Sequence, residues 1–167
     1  MDYSDSTTGQ KIQGVKEINS EIYLGTGDDK IYVNPDEKST TYIRITRGSD
    51  FGNKTIYLNK DKGRTMLQFI DEDGNTGDGT FYADDGKKNF TCKKAGNDAL
   101  ISVHSEDGTT GTILIKDYFK SYHKVGLGTT LLDEYSKFFV KKDLYTSDYS
   151  NAKKGQTIKG TVYTDNI

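Results

Sequence analysis

The chain has 167 residues, of which 32% are apolar, with 18 Gly, one Pro, no Trp and 25 acidic against 23 basic side chains. So small an apolar share excludes a thick globular core and suits a thin core shared between stacked turns, or sheets with one wet face. The formal net charge of −2 argues against a nucleic-acid partner, which calls for a basic stripe, and no apolar run approaches the roughly 18 residues of a membrane span.

The chain begins with a polar stretch, MDYSDSTTGQ, which lacks the basic and apolar regions of a Sec signal peptide. Residues 2–14, DYSDSTTGQKIQG, return as DYSNAKKGQTIKG at 148–160. Asp2, Tyr3, Ser4, Gly9, Gln10, Ile12 and Gly14 reappear as Asp148, Tyr149, Ser150, Gly155, Gln156, Ile158 and Gly160, at a constant offset of 146. Such self-similarity is the mark of a repeat architecture. It predicts three segments: turns over 1–38, a β-rich region over 39–147, and the start of the next unit over 148–167. The expected partners are then neighbouring units of the same chain. Within the first segment Ile22 and Ile31 lie nine residues apart, as do Ile158 and Ile167. One buried aliphatic per nine residues is the rhythm of a parallel β-roll.

Residues 24–33 read LGTGDDKIYV. Two like charges directly before a strand destabilise it unless something neutralises them. Neighbouring side chains in extended backbone point to opposite faces, so Asp28 and Asp29 need not share a role. Gly25 and Gly27 allow a tight bend, with positive φ if required, and expose carbonyl oxygens. Carboxylate and carbonyl oxygens without nitrogen or sulfur suit a hard cation such as Ca²⁺. Gly25, Gly27, Asp28 and Asp29 are therefore the candidate metal residues.

From residue 39 onward, β-branched and aromatic runs end in Gly or Asp: STTYIRITRG, KTIYLNKDKG and RTMLQFIDEDG. They read as strands joined by turns. Asp71, Asp73, Asn75 and Asp78 form an oxygen-rich stretch read as a solvated hairpin turn, and Asp84, Asp85 and Gly86 as an ordinary turn. Cys92 alternates with polar residues, as a packed strand position does. DALISVHS and GTILIKDYF flank EDGTTG, a hairpin signal that places Ile101, Val103, Ile113 and Ile115 on one face. In TTLLDEYSKFFVKKDL (129–144) the apolar spacing predicts one short helix near 130–142, with Thr130 as its cap. The fold expected is thus mostly β: short parallel β-roll turns at the ends, an antiparallel region between, and that one helix. His104 and His123 have no companion residues for zinc chemistry or a nucleophile elbow, so the chain reads as non-catalytic.

Two stretches carry a resemblance. LGTGDDKIY resembles the nonapeptide G-G-x-G-x-D-x-U-x of the RTX, or haemolysin-type calcium-binding, family. Gly25, Gly27, Asp29 and Ile31 match, and Leu24 stands in place of the first glycine. GTVYTDNI at the end of the chain looks like a degenerate opening of the same motif. Residues 89–119 are similar to the segment that often accompanies these repeats, through Gly96, Asn97, Asp98, Leu100 and Ile101, then Ile113, Ile115, Lys116, Asp117, Tyr118 and Phe119. The resemblance implies a calcium-responsive repeat unit of a secreted or cell-surface bacterial protein, an adhesin or toxin scaffold, exported by type I secretion, with Ca²⁺ at the Asp29 loop. It also implies that two successive turns complete a site, so this nonapeptide is half of one: the turn nine residues earlier has Ser20 in place of an aspartate and Lys16 and Ile18 in place of glycines, and the turn after has Lys38. Either Glu17 or Glu21 then completes the site, or the metal is lost and only the scaffold survives. A carbohydrate- or host-surface-binding β module, using exposed members of the 12 Tyr, is the alternative, as is an accessory domain of a larger secreted hydrolase.

Overall fold

Alternating apolar and polar residues make the strands of this chain, and short bends rich in Gly, Asp and Ser make its corners. The computed structural model describes residues 1–14, 19–33, 35–46, 50–58, 63–70, 76–77, 90–104, 110–120, 124–127 and 130–131. In chain order the strands are β1 (Asp2–Tyr3), β2 (Lys11–Gln13), β3 (Ser20–Leu24), β4 (Lys30–Tyr32), β5 (Thr40–Thr46), β6 (Asn53–Tyr57) and β7 (Arg64–Ile70). They continue as β8 (Thr76–Gly77), β9 (Phe90–Ala95), β10 (Asp98–His104), β11 (Thr110–Lys116), β12 (Lys124–Leu127) and β13 (Thr130–Leu131). A 3₁₀ turn over Tyr118–Lys120 follows β11.

The architecture is mostly β, in two sheets. One runs β1-β3-β5-β7-β12-β13 with β8 beside β7, and the other β2-β4-β6-β11-β10-β9. From β1 to β7 the chain alternates between the sheets, and each strand pairs in parallel with the next one laid on its own sheet. Parallel pairing continues from β6 to β11 and from β7 to β12.

Register explains the core. In the first sheet Ile22, Ile43 and Leu67 stand in one row and Leu24, Ile45 and Phe69 in another. In the second, Ile12, Ile31, Ile56 and Ile115 form a row. All ten are buried in one cluster that draws on both sheets. Parallel strands place like residues side by side, so a repeated isoleucine becomes a continuous apolar ridge. The outer faces are mixed, carrying polar and aromatic side chains together with aliphatics such as Leu100 and Leu114, which lie opposite each other on β10 and β11. Tyr32 and Tyr57 stack there with ring centroids 4.4 Å apart and planes 6° from parallel, with Lys11 Nζ 5.4 Å from the Tyr32 centroid.

Several sequence expectations are altered. Ile22 belongs to β3 and Ile31 to β4, in different sheets, so the nine-residue step is a passage between sheets and not a whole turn. The boundary expected after residue 38 falls inside both sheets, because β3 pairs with β5 and β4 with β6. Among the described residues, antiparallel pairing is confined to β9, β10 and β11, to β7 with β8, and to β12 with β13. The hairpin β10–β11 has the expected faces: Ile101 lies opposite Ile113, and Ile101, Val103, Ile113 and Ile115 are all fully buried. Thr130 and Leu131 lie in strand β13 and do not start a helix. The remainder of the 130–142 segment lies outside the described residues, as does the repeat at 148–167.

Candidate cation cradle at the Gly25–Asp29 corner

The corner between β3 and β4 lies directly on the corner between β1 and β2. A Cβ on Gly25 would stand 2.2 Å from the Ser6 carbonyl oxygen, and one on Gly27 would stand 2.4 Å from the Thr8 carbonyl carbon. Neither glycine has a positive φ, so both are required by the closeness of the neighbouring backbone and not by the turn conformation. The two corners are also laced together. Thr26 N–H donates to the Ser6 carbonyl (3.0 Å) and Lys30 N–H to the Gln10 carbonyl (2.8 Å).

Asp28 and Asp29 separate as extended backbone demands. Asp29 turns inward and is 3% exposed. Its Oδ1 accepts the Gln10 N–H at 2.8 Å, reaching back to the preceding corner. Asp28 turns outward, where its Oδ1 accepts the Asn53 N–H at 2.7 Å and Asn53 Nδ2 at 3.2 Å. Asn53 Oδ1 accepts in turn from the Thr112 hydroxyl at 2.6 Å. One aspartate thus knits the inside of the stack and the other its rim.

The oxygens assigned to calcium do converge on a positive charge, and it is Lys54. Its Nζ lies 2.8 Å from the Gly25 carbonyl oxygen and 2.6 Å from Asp29 Oδ2, and also donates to the Gly27 carbonyl. The Lys54 side chain has no exposed surface. Burial pulls its ammonium below the ordinary lysine value of 10.5, while the bond to Asp29 and the charges of Asp29 and Asp28 pull it back up. Three acceptors around Nζ match the three N–H donors of an ammonium. A neutral amine would bring two N–H groups and aim its lone pair at the third oxygen, so the charged form is the one that satisfies the site. With Lys54 in place these oxygens do not fit a bound Ca²⁺, which takes six to eight oxygens at 2.3–2.6 Å and would meet a like charge. Among the described residues no three His, Cys, Asp or Glu side chains converge as metal ligands.

The position of Lys54 follows from alternation. It precedes the buried Ile56 by two residues in β6, so it shares the inward face. Its register partner in β11 is Ile113, which is opposite Ile101 in β10. The row of Ile101 and Ile113 therefore runs on to an ammonium, set beside the one inward carboxylate among the described residues of that corner. Sequence reasoning missed it by searching nine residues either side of Asp29, whereas the next corner of the same sheet begins more than twenty residues on. A lysine two residues before an inward isoleucine was the available signal.

The other candidates disperse. Glu21 lies on the outer face of β3, its Oε1 2.8 Å from Arg44 Nη2. Ser20 is inward and shares a hydrogen bond with Thr41 (3.2 Å). Lys38 is exposed in the turn before β5, and His104 is exposed at the end of β10. Cys92 is fully buried in β9. Lys16, Glu17, Ile18, His123 and the aspartates at 71, 73, 78, 84 and 85 lie outside the described residues. In the hairpin region, Asp98 Oδ2 pairs with Lys116 Nζ and its Oδ1 accepts the Asp117 N–H at 2.8 Å, where Asp117 has φ of 58°. No protein-family model, no curated protein and no solved structure matches this chain.

Proposed function

We propose that the chain is a non-catalytic structural unit of a secreted or cell-surface bacterial protein, similar to RTX adhesin or toxin scaffolds, whose sheets stack on neighbouring units of the same chain. The observation that carries this reading is the use made of charged groups. Asp29 holds Lys54, Asp28 holds Asn53, Glu21 holds Arg44 and Asp98 holds Lys116. Each joins one strand or corner to another. The recurrence of residues 2–14 at 148–160 supports the tandem arrangement. The resemblance brings calcium to this reading as a stabiliser of such scaffolds, but through other positions than the Asp29 loop, which already has its cation.

The test is a tandem of two units fused at the 146-residue repeat distance, compared with one unit in urea. Stacked units gain a shared interface, so the tandem should unfold at a higher midpoint than the single unit. Two transitions at the single-unit midpoint would remove the scaffold reading. A carbohydrate- or host-surface-binding module is the second reading, favoured by the outward Tyr32–Tyr57 stack and by Tyr23 and Tyr42 flanking Arg44. Retention on a glycan array, lost in Tyr57→Ala, would put it first.

A further inference from the structure

A buried ammonium in a thin aliphatic core is an expensive choice, because each ion taken from water loses its hydration. The neighbouring places in the same row hold Ile113 and Ile101, so an aliphatic side chain at residue 54 would continue the ridge. The corner below explains why one does not. Its Gly25 and Gly27 carbonyls and Asp29 Oδ2 all face inward onto Nζ, and without the ammonium these buried acceptors would lose that shared donor and the Asp29 charge its counter-charge.

We propose that Lys54 is a built-in cation for the Gly25–Asp29 corner: its tethered ammonium takes the place a divalent ion would occupy in an oxygen cradle, so this corner orders without metal, and removing the ammonium opens a divalent-cation site. Two arguments support it beyond the contact distances. The carboxylate is shared, Oδ1 with the Gln10 N–H and Oδ2 with Nζ, so Asp29 couples the corner to the strands on either side as a bridging ligand would. A side chain on the same chain also competes as an intramolecular ligand, with an effective concentration in the millimolar range or above, against calcium affinities of roughly 10⁻⁴–10⁻³ M typical of extracellular modules. The inference stands on this geometry alone and is read on a single unit, so failure of the tandem experiment leaves it intact.

The experiment compares thermal melting of the full chain and its Lys54 variants in EDTA, in 10 mM CaCl₂, and in 10 mM MgCl₂, at matched ionic strength. Lys54→Ser shortens the side chain and leaves room for water to complete a coordination shell. In EDTA it should melt on the order of 10 °C below the parent chain, as loss of one partner of a buried ion pair implies. Calcium should then raise its Tm by several degrees more than it raises that of the parent, with magnesium less effective because it demands a smaller octahedral site. An equal calcium response in the two chains would overturn the proposal. Lys54→Met keeps the apolar stem without the charge, and should also melt lower than the parent. Adding Asp29→Asn to it should restore part of the loss, since the amide oxygen can still accept the Gln10 N–H and no unpaired charge remains. If Lys54→Met is as stable as the parent, or the added Asp29→Asn restores nothing, the ammonium is not serving as the cation of this corner.

Discussion

Asp29 and Asp98 each bond a lysine, but in different surroundings. The Asp29–Lys54 pair is sealed inside the stack, whereas Lys116 keeps 37% of its side-chain surface exposed and Asp98 keeps 14%. Burial alone would raise the Asp98 carboxyl. The Lys116 bond, the Asp117 N–H and the nearby ammonium charges outweigh it and hold the carboxyl below its ordinary value of 3.8. A carboxylate depressed in the folded state contributes stability that is present above the ordinary value and lost as pH falls through the folded one. Acidification from about pH 5 to pH 2 should therefore lower the urea midpoint. Asp98→Asn should show a shallower fall over that range, at a lower starting stability because the Lys116 charge loses its partner. Identical slopes for the two chains would mean that the Asp98 pairing is not felt in solution.

At the scale of the element, the corners are more demanding than the strands. Gly27 lies so close to Thr8 that even a methyl group must displace backbone, and its carbonyl also holds Lys54. Gly27→Ala should destabilise the chain by about 2 kcal/mol, as overpacking does, visible as a lower urea midpoint with an unchanged slope. A neutral result would show that the two corners can part without loss. The sequence made the strands legible because alternation is local: Ile101, Val103, Ile113 and Ile115 declare their face from spacing alone. The two glycines and two aspartates before β4 were legible as an oxygen-bearing bend for the same reason. Lys54 was not, because its meaning depends on which strand lies beside which. Parallel pairing between β4 and β6 joins segments separated by all of β5, and no spacing within either segment records it. The texture of the sequence changes after residue 38, yet the hydrogen-bond ladders run across it, from β3 to β5 and from β4 to β6.

For the whole molecule, stability follows position in the stack. Each strand from β1 to β7 is held by its neighbours on the same sheet, and the strands at the start are short, with two residues in β1 and three in β2 against seven each in β5 and β7. Chains built this way open in steps from their weaker end. Native-state hydrogen exchange should find the amides of β1 and β2 opening well below the global unfolding free energy and those of β5 and β7 near it. Uniform protection along the stack would show that the sheets unfold as one body. At the far side of the second sheet, β9 is the last of the described strands and carries Lys93 and Lys94, both exposed. Charged lysines on an outer strand discourage further strand addition.

The face-to-face tyrosines of β4 and β6 lie across the same parallel seam that brings Lys54 to Asp29. Because the sequence contains no tryptophan, its 12 Tyr dominate the long-wavelength edge of the near-ultraviolet spectrum, with seven Phe at shorter wavelength. Two tyrosines coupled at this distance act as an intrinsic optical gauge: the dichroic component lost in Tyr57→Ala reports on whether that seam is closed, without any dye or label.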